Sequence, residues 1–323
     1  MRFTKNLLLC TLCSVIALLC GRYTLAAEWP SKPIQIISPF NPGGDVDFNA
    51  RTYAARLSKT LGTDVVITTT SGNGGAIGAR KAKDSPNDGY TVLFTSSALL
   101  TNQLSGAVDF GLDAYEFSCI AAQGPGNVIC VSPDLGVKTL KELVELTAKR
   151  PGQLRMAADT GATTQIIALM LKNVGVNANI VDAGASGDRI AALLGGHVDI
   201  IINSHGSIKD YVSSGDFVAL GIATDSQPEY IPEIATCISQ GYNVTFPSYF
   251  FFAFPKGTDK AVVDKFTAAV GTIADNDADY ANSIRTAYSQ SPVFVPGEKG
   301  LERLEKAREE IEQYRSQFAI NRK

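Results

Sequence analysis

The sequence predicts an α/β protein built as two similar lobes, each a mostly parallel sheet with helices on both faces, with a ligand cleft between them. Three observations lead there. Short apolar runs alternate with stretches of helical period along most of the 323 residues, the pattern of βα units and parallel sheets. Almost every apolar run ends in a turn of Gly, Ser, Thr, Asn, Ala or Asp that leads into a helix, and open α/β sheets bind ligands outside such strand ends. The units fall into two runs joined by two crossings, one at Gly124-Pro125-Gly126 and one at the aromatic stretch from Tyr249 to Phe254. The expected organisation is residues 1–27 as a signal peptide, 28–124 plus 250–323 as the first lobe, and 125–249 as the second.

In chain order, the N-terminus reads as a cleaved secretory signal. Arg2 and Lys5 give a positive start, and Leu7 to Cys20 is apolar but too short and wrongly flanked for a membrane span. Leu25-Ala26-Ala27 then ends in small residues before Glu28. Leu19 is bulky where a lipid-anchored Cys20 would want a small neighbour. The first βα unit follows. Ile34, Ile36 and Ile37 make a buried strand, and Pro42, Gly43 and Gly44 force a tight turn. Asp45 or Asp47 can cap the helix carrying Ala50, Tyr53, Ala54 and Leu57. Phe48 and Tyr53 are expected in core packing. Val65 to Thr68 is a second strand, running into Ser71 to Arg80, where Gly72, Gly74, Gly75 and Gly78 crowd the turn. No Gly-Lys-Ser/Thr follows, and Ile77 stands where a dinucleotide fingerprint needs glycine, so ATP and NAD are discounted.

Tyr90 to Thr95 is a third strand ending at Ser96-Ser97, and residues 98–116 read as loop. Phe117 to Ala122 and Val128 to Val131 are strands around the first crossing. Thr139 and Glu142 have capping-box spacing before the helix of Leu140, Leu143 and Val144. Leu154 to Ala158 is a strand entering Asp159 to Gln165 and a helix closed by Gly175. Ile180-Val181 enters Asp182 to Asp188, and Val198 to Ile202 ends at Asn203-Ser204-His205-Gly206. Val218 to Ala223 is the last strand before the return crossing. Two helices close the chain, one with Val262, Val263, Phe266, Val270 and Ile273, the other with Leu301, Leu304, Ile311 and Tyr314.

The formal net charge is −3, and loss of Arg2, Lys5 and Arg22 with the signal makes the mature chain more acidic. There is no basic run and no aromatic-basic interleaving, so nucleic acid is not an expected partner. Three cysteines follow the signal: Cys119, Cys130 and Cys237. Cys119 and Cys130 flank the first crossing and could face each other across paired strands, as a disulfide or as two buried thiols.

An enzyme needs an acid, base, nucleophile or metal in the cleft. His197 and His205 show no metal-ligand spacing, so no metal is expected. His197 reads as a surface turn residue. His205 follows a buried strand and is either a satisfied structural histidine or a cleft residue. Ser96, Ser97 and Ser204 lack a G-x-S-x-G elbow and read as hydrogen-bonding groups. Asp45, Asp47, Asp159, Asp182 and Asp188 are the charged candidates. Asp47 reads first as a helix cap. Asp182 can accept from ligand hydroxyl or ammonium groups or orient bridging water. Arg51 and Arg189 are expected to pair with neighbouring acids. What remains is helix N-termini, backbone N–H groups and small hydroxyls, which favour a small carboxylate.

These residues resemble the Bug-type periplasmic solute receptors, the substrate-binding proteins of tripartite tricarboxylate transporters. The family's opening is similar to Trp29-Pro30-Ser31-Lys32-Pro33-Ile34. Its Pro-Phe-x-x-Gly-Gly-x-x-Asp-x-x-x-Arg pattern is matched by Pro39, Phe40, Gly43, Gly44, Asp47 and Arg51. Gly72, Gly74, Gly75, Gly78 and Ala79, then Pro86, Asp88, Gly89, Tyr90 and Thr91, resemble its second loop and the turn after it. Leu193 to Asp199 and Gly241-Tyr242 also look familial, while Thr69-Thr70-Ser71-Gly72 and Cys237 to Gln240 depart from the usual pattern.

The resemblance implies a type II-like periplasmic binding fold that closes over a small carboxylate and delivers it to membrane permease subunits. It implies a monomer in the periplasm, without catalysis or cofactor. Carried onto this chain, the carboxylate clamp would be Pro42, Gly43, Gly44, Asp47, Gly74, Gly75 and Ala76. The selecting set would be Asp159, Gly161, Ala162, Thr163, Asp182, Ala183 and Ser204, with Ser96 as a further hydrogen-bonding contact. The alternatives are a ligand-presenting partner of a membrane sensor and a secreted hydrolase using a strand-end serine.

Overall fold

The computed structural model describes residues 28–320, so the expected signal peptide lies outside the described residues. Glu28–Ser31 form no helix or strand, and the fold proper runs from Lys32. No helix among the described residues is long and apolar enough to cross a membrane.

Eleven strands make two sheets. The first holds β1 (Ile34–Ser38), β2 (Val65–Thr69), β3 (Thr91–Ser96), β4 (Tyr115–Gln123), β10 (Tyr249–Pro255) and β11 (Ser291–Pro296), in the order β11-β4-β10-β3-β1-β2. The second holds β5 (Asn127–Val131), β6 (Arg155–Ala158), β7 (Asn179–Asp182), β8 (Ile200–Ser204) and β9 (Val218–Ala223), in the order β7-β6-β8-β5-β9. β1 pairs in parallel with β2 and β3, and β6 does so with β7 and β8. β10 and β11 run against the other strands of the first sheet, as β5 does in the second. Most strands in each sheet therefore point one way, and the antiparallel ones adjoin the crossings or close an edge.

The helices are α1 (Asp45–Leu61), α2 (Ala76–Lys83), α3 (Ala98–Ser105), α4 (Leu140–Lys149), α5 (Thr163–Asn173), α6 (Ser186–Leu194), α7 (His205–Ser214), α8 (Lys260–Asn276), α9 (Ala278–Tyr288), α10 (Gly297–Ile311) and α11 (Arg315–Ile320). They cover both faces of each sheet, as strand alternation requires. Along β10, Phe252 packs its ring against Phe94, Tyr53 and Phe266, at centroid distances of 4.6, 5.3 and 5.1 Å. Its neighbour Phe251 points the other way, to Phe117 and the apolar group that includes Leu304 and Ile311 of α10. Full burial of each ring contributes about 1.5–3 kcal/mol. In β5, Ile129 and Val131 take one face while Val128 and Cys130 take the other. One apolar cluster runs without a break through both sheets, from Ile37, Leu93 and Ile120 to Ile129, Met156 and Ile202.

Several elements differ from expectation. Residues 98–105, expected as loop, form α3. Leu99, Leu100, Thr101, Asn102 and Leu104 are all buried, so the helix is enclosed and shows no amphipathic stripe to read. α9 and β11 were not foreseen. Cys119 and Cys130 do not face each other across paired strands, because β4 pairs with β10 and β11 while β5 pairs with β8 and β9. All three described cysteines are buried free thiols, which burial raises to about 12 at Cys119 and Cys237. The Thr139 hydroxyl accepts from Glu142 N at 3.2 Å, capping α4, and Glu142 reaches back to Lys138 N at 2.6 Å.

Candidate functional site

The C-terminal ends of β1, β3, β6, β7 and β8 give way to short turns, and the helices that follow begin at one cavity of about 420 Å³. Its walls include Pro42, Gly43, Gly44 and Asp45 before and within α1, and Ser96, Ser97 and Ala98 at α3. From the second sheet come Ala162, Thr163 and Thr164 at α5, Ala185 to Arg189 at α6, and Ser204 and Ser207 at α7. The residues at these five helix starts are Gly44, Ser97, Ala162, Ala185 and Ser204, and none of them gives its helix a side-chain cap bond. Elsewhere Thr139 caps α4, Asp259 caps α8 and Asp277 caps α9, while α2 and α10 have no side-chain cap. The positive dipole ends of five helices are thus presented to one space; on α3 the Ser96 hydroxyl takes the Ala98 N–H at 3.3 Å, and on α1 Asp45 Oδ1 takes the Val46 N–H at 2.8 Å.

The turns around the cavity are held from behind. Gly43, with φ 84° in the region glycine tolerates, donates its N–H to Asp47 Oδ2 at 3.2 Å, while its carbonyl accepts from the Tyr288 hydroxyl at 2.5 Å. Asp47 is neither cap nor wall. Gly44 occupies the cap position, and the buried Asp47 carboxylate pairs with Arg51 at 2.9 Å, as expected for Arg51. Asp159 N donates to Thr164 Oγ1 at 3.0 Å, and Gly161 N to Gln165 Oε1 at 2.7 Å. Gly161 O accepts from Thr101 Oγ1 and Asn102 Nδ2, both at 2.7 Å, which ties the second sheet's loop to α3. The serines form a chain: Ser186 Oγ and Ser204 Oγ donate to Ser207 Oγ at 3.1 and 3.2 Å, and Ser207 Oγ donates to Ser204 O at 2.8 Å.

Of the residues named from the sequence, Pro42, Gly43, Gly44, Ser96, Asp159, Ala162, Thr163 and Ser204 line the cavity. Asp47, Gly74, Gly75, Ala76, Gly161, Asp182 and Ala183 stand outside its walls, for identifiable reasons. The second Gly-rich loop packs closely on its neighbours, and its Gly74 N–H bonds the Asp159 carboxylate in the cavity wall. A Cβ on Gly74 would meet Thr160 O at 2.6 Å and Ala162 N at 2.7 Å, one on Gly75 would meet the Phe40 ring at 2.9 Å, and Ala76 is buried with them. Gly161 is buried against Asn102 and Ser105. Asp182 is exposed and closes its own turn by accepting from Gly184 N at 3.0 Å, and Ala183 follows it, donating to Ala158 O at 3.1 Å.

Arg189 departs from expectation. Only 6% exposed, it makes no ion pair among the described residues. Its Nε donates to Asn203 Oδ1 at 2.8 Å and Ile202 O at 3.2 Å, and its Nη1 to Gly184 O at 2.5 Å. Burial pulls its pKa down, and the carboxylates of Asp159 and Asp45 counteract this at a distance. Burial likewise raises Asp45, and it lifts Asp159 to about 6 against the pull of Arg189. Asn127, Ser186, Ser207, Tyr211, Ser248 and Tyr288 also line the cavity. Ser186 and Ser207 follow the helix starts by one and three positions, a register the small-residue turns could have given. Tyr288 comes from the unforeseen α9 and carries no local signal.

His205 does not line the cavity. Its Nδ1 bonds Ser289 Oγ at 3.0 Å, and its Nε2 lies 3.7 Å from Glu233. Ser186, Ser204 and Ser207 bond one another, and Ser96 and Ser97 accept from backbone N–H groups, rather than pairing with a base. His197 is exposed, and no three His, Cys, Asp or Glu side chains among the described residues group as a metal site would. The arrangement can bind and orient an anion. It lacks the paired nucleophile and base of acyl-transfer chemistry.

Comparison with known proteins places the chain in a family and agrees with the fold. Residues 49–292 match the profile of the tripartite tricarboxylate transporter family receptor. Protein BugT of Bordetella pertussis is 31% identical over 245 residues, covering 74% of this chain and 75% of that one. An R. palustris protein solved with adipate superposes with a TM-score of 0.79 at 23% identity, covering 90% of this chain and 97% of that one. MatC from Rhodopseudomonas palustris, with bound malate, gives 0.78 at 21% identity, covering 90% and 100%.

Proposed function

Since this chain belongs to the tripartite tricarboxylate transporter receptor family, we propose that it is a periplasmic receptor for a small carboxylate, which it encloses between two lobes and delivers to a membrane permease of that transporter type. The lobes in this reading are residues 28–124 with 250–323, and 125–249, and closure is a hinge motion at the two crossings. The observation that supports the reading best is the convergence of five helix N-termini on one cavity. Each end contributes about 0.3–1 kcal/mol toward an anion, and up to about 2 in a partly buried site. Together they supply a large share of the roughly 8 kcal/mol that micromolar affinity needs. The family match points to receptors rather than enzymes, and the adipate and malate held by two structural neighbours are small carboxylates.

The test is calorimetry on unfolded and refolded residues 28–323, so that no carried ligand remains, with succinate, malate and adipate against their neutral diamides. One-to-one binding of a carboxylate at micromolar strength is expected. Gly43→Val should weaken it roughly tenfold, because the backbone at φ 84° resists a β-branched residue and the turn must shift. Binding confined to the diamides, or affinity untouched by Gly43→Val, would sink the anion site.

A further inference from the structure

The cavity holds charges of both signs that act on one another only at a distance and have no oppositely charged group in contact. Arg189 is buried in its wall and bonded only to neutral acceptors, so a full positive charge lacks a contacting carboxylate. Asp45, from the first sheet's side, and Asp159, from the second's, also line the cavity, half-buried, and neither makes an ion pair among the described residues. The Asp45 carboxylate accepts from the adjacent Val46 N, at 2.8 Å, and from its own N–H, and the Asp159 carboxylate accepts from the Gly74 N–H; neither meets a cation in contact. Asp188 is a third carboxylate in the wall, but it faces water and accepts from Ala185 N at 3.0 Å. Buried charges are normally paired, since leaving one unmatched in a dry site costs several times what a paired one does. Here the missing partners are an anion for Arg189 and the helix ends, and a cation for Asp45 and Asp159.

This inference rests on the carboxylate reading and narrows it. We propose that the ligand is a zwitterion: its carboxylate meets Arg189 and the helix N-termini, and a protonated amine some carbons away lies between Asp45 and Asp159. A plain dicarboxylate would set a second negative charge against two acids. The elevated pKa of Asp159 agrees with a carboxyl whose cationic partner arrives with the ligand. About 420 Å³ is ample for an amino acid or short amino-carboxylate. Tyr288 and Tyr211, also in the wall, can face the cation with ring or hydroxyl.

The experiment uses pairs that differ only in one terminal group: succinate with β-alanine, glutarate with γ-aminobutyrate, and adipate with ε-aminocaproate. γ-Butyrobetaine asks whether the cation must be a hydrogen-bond donor. Each is titrated calorimetrically into refolded residues 28–323, and into Asp45→Asn and Asp159→Asn forms whose unloaded melting curves establish that they fold. In at least one pair the amino acid should bind roughly tenfold tighter than the diacid, the value of one charge-assisted hydrogen bond. Both Asn variants should erase that ratio while leaving the diacid as strong or stronger. If the diacid matches or exceeds its amino partner in every pair, the zwitterion is wrong and the carboxylate reading stands. The proposal also falls if the Asn variants weaken both members equally, or if Asp159→Asn leaves the preference for amine intact. If neither member of any pair binds folded protein, both readings fail together.

Discussion

Ala185 offers a way to set helix capping against ligand binding. It occupies the cap position of α6 with φ −72° and ψ 175°, a conformation serine adopts freely, and its methyl group can accept nothing. In Ala185→Ser the new hydroxyl can accept from the N–H of Gly187 or Asp188, groups now turned to the cavity. Such a cap is worth roughly 0.5–2 kcal/mol, typically about 1. In a chain of this size that should raise the midpoint of thermal unfolding by about 2 °C. The ligand then loses that helix end, worth about 0.3–1 kcal/mol and up to about 2 in a partly buried site. Affinity should fall roughly fivefold for each kcal/mol lost. The assay is a melting curve without ligand and a calorimetric titration with it, on the same preparation. Thr139→Ala on α4 is the control: it removes a cap remote from the cavity, so stability should drop by a similar amount with affinity unchanged. A more stable Ala185→Ser protein that binds as tightly as before would refute the reasoning, because the α6 end would then not be a ligand contact.

Two further predictions follow from the same geometry. Asp159 has its pKa raised to about 6 in the folded chain by burial, against an ordinary 3.8, so the folded state holds a proton that the unfolded state has released between those values. Stability without ligand should therefore decline as pH rises from about 4 to about 6 and then level off, and Asp159→Asn should flatten that decline in melting curves across the range. An unchanged slope in the variant would reassign the titration to another group. Gly206 lies where α7 meets α9, and a Cβ there would stand 2.4 Å from Ala287 O and 2.6 Å from Tyr288 Cα. Because these are backbone atoms, Gly206→Ala should push the two helices apart. It should enlarge the radius of gyration seen by small-angle scattering with ligand present and weaken binding. An identical scattering curve would show that this contact does not limit closure.

Much of the fold was legible because burial leaves a periodic trace. The unbroken apolar run of β10 and the Ile200-Ile201-Ile202 start of β8 reveal strands, and the Gly, Ser and Asp turns mark where they stop. α3 left no such trace, since a helix buried on every side has no polar face to set its phase. At the site, residues just before or inside the first turn of a helix could be read, as with Gly43, Gly44, Ala162, Thr163 and Ser204. Gly74 and Gly75 stand outside the cavity walls for a physical reason: a glycine that lets a ligand approach and one that lets a neighbouring loop approach look alike in sequence. The unpaired state of Arg189 was equally hidden. Asp188 beside it is the obvious partner by sequence, yet that carboxylate is spent on the Ala185 N–H.

The unbroken apolar cluster from Ile37 to Ile202 bears on how the molecule lives and dies. Proteins that clasp a ligand between halves often keep a separate core in each, and then either half can loosen while the other endures. Here Leu104 of α3 and Ile166 of α5 belong to the same body of packed side chains as strands of both sheets. The second half also has a smaller cluster of its own around Val128, Ile201 and Ile222, but the larger body is shared. Heat or denaturant should therefore dissolve both together in one cooperative step, and a fragment carrying either half alone would leave a raw apolar face in water and aggregate. The two halves share one fate in folding, so a newly made chain must be complete before any of it is secure.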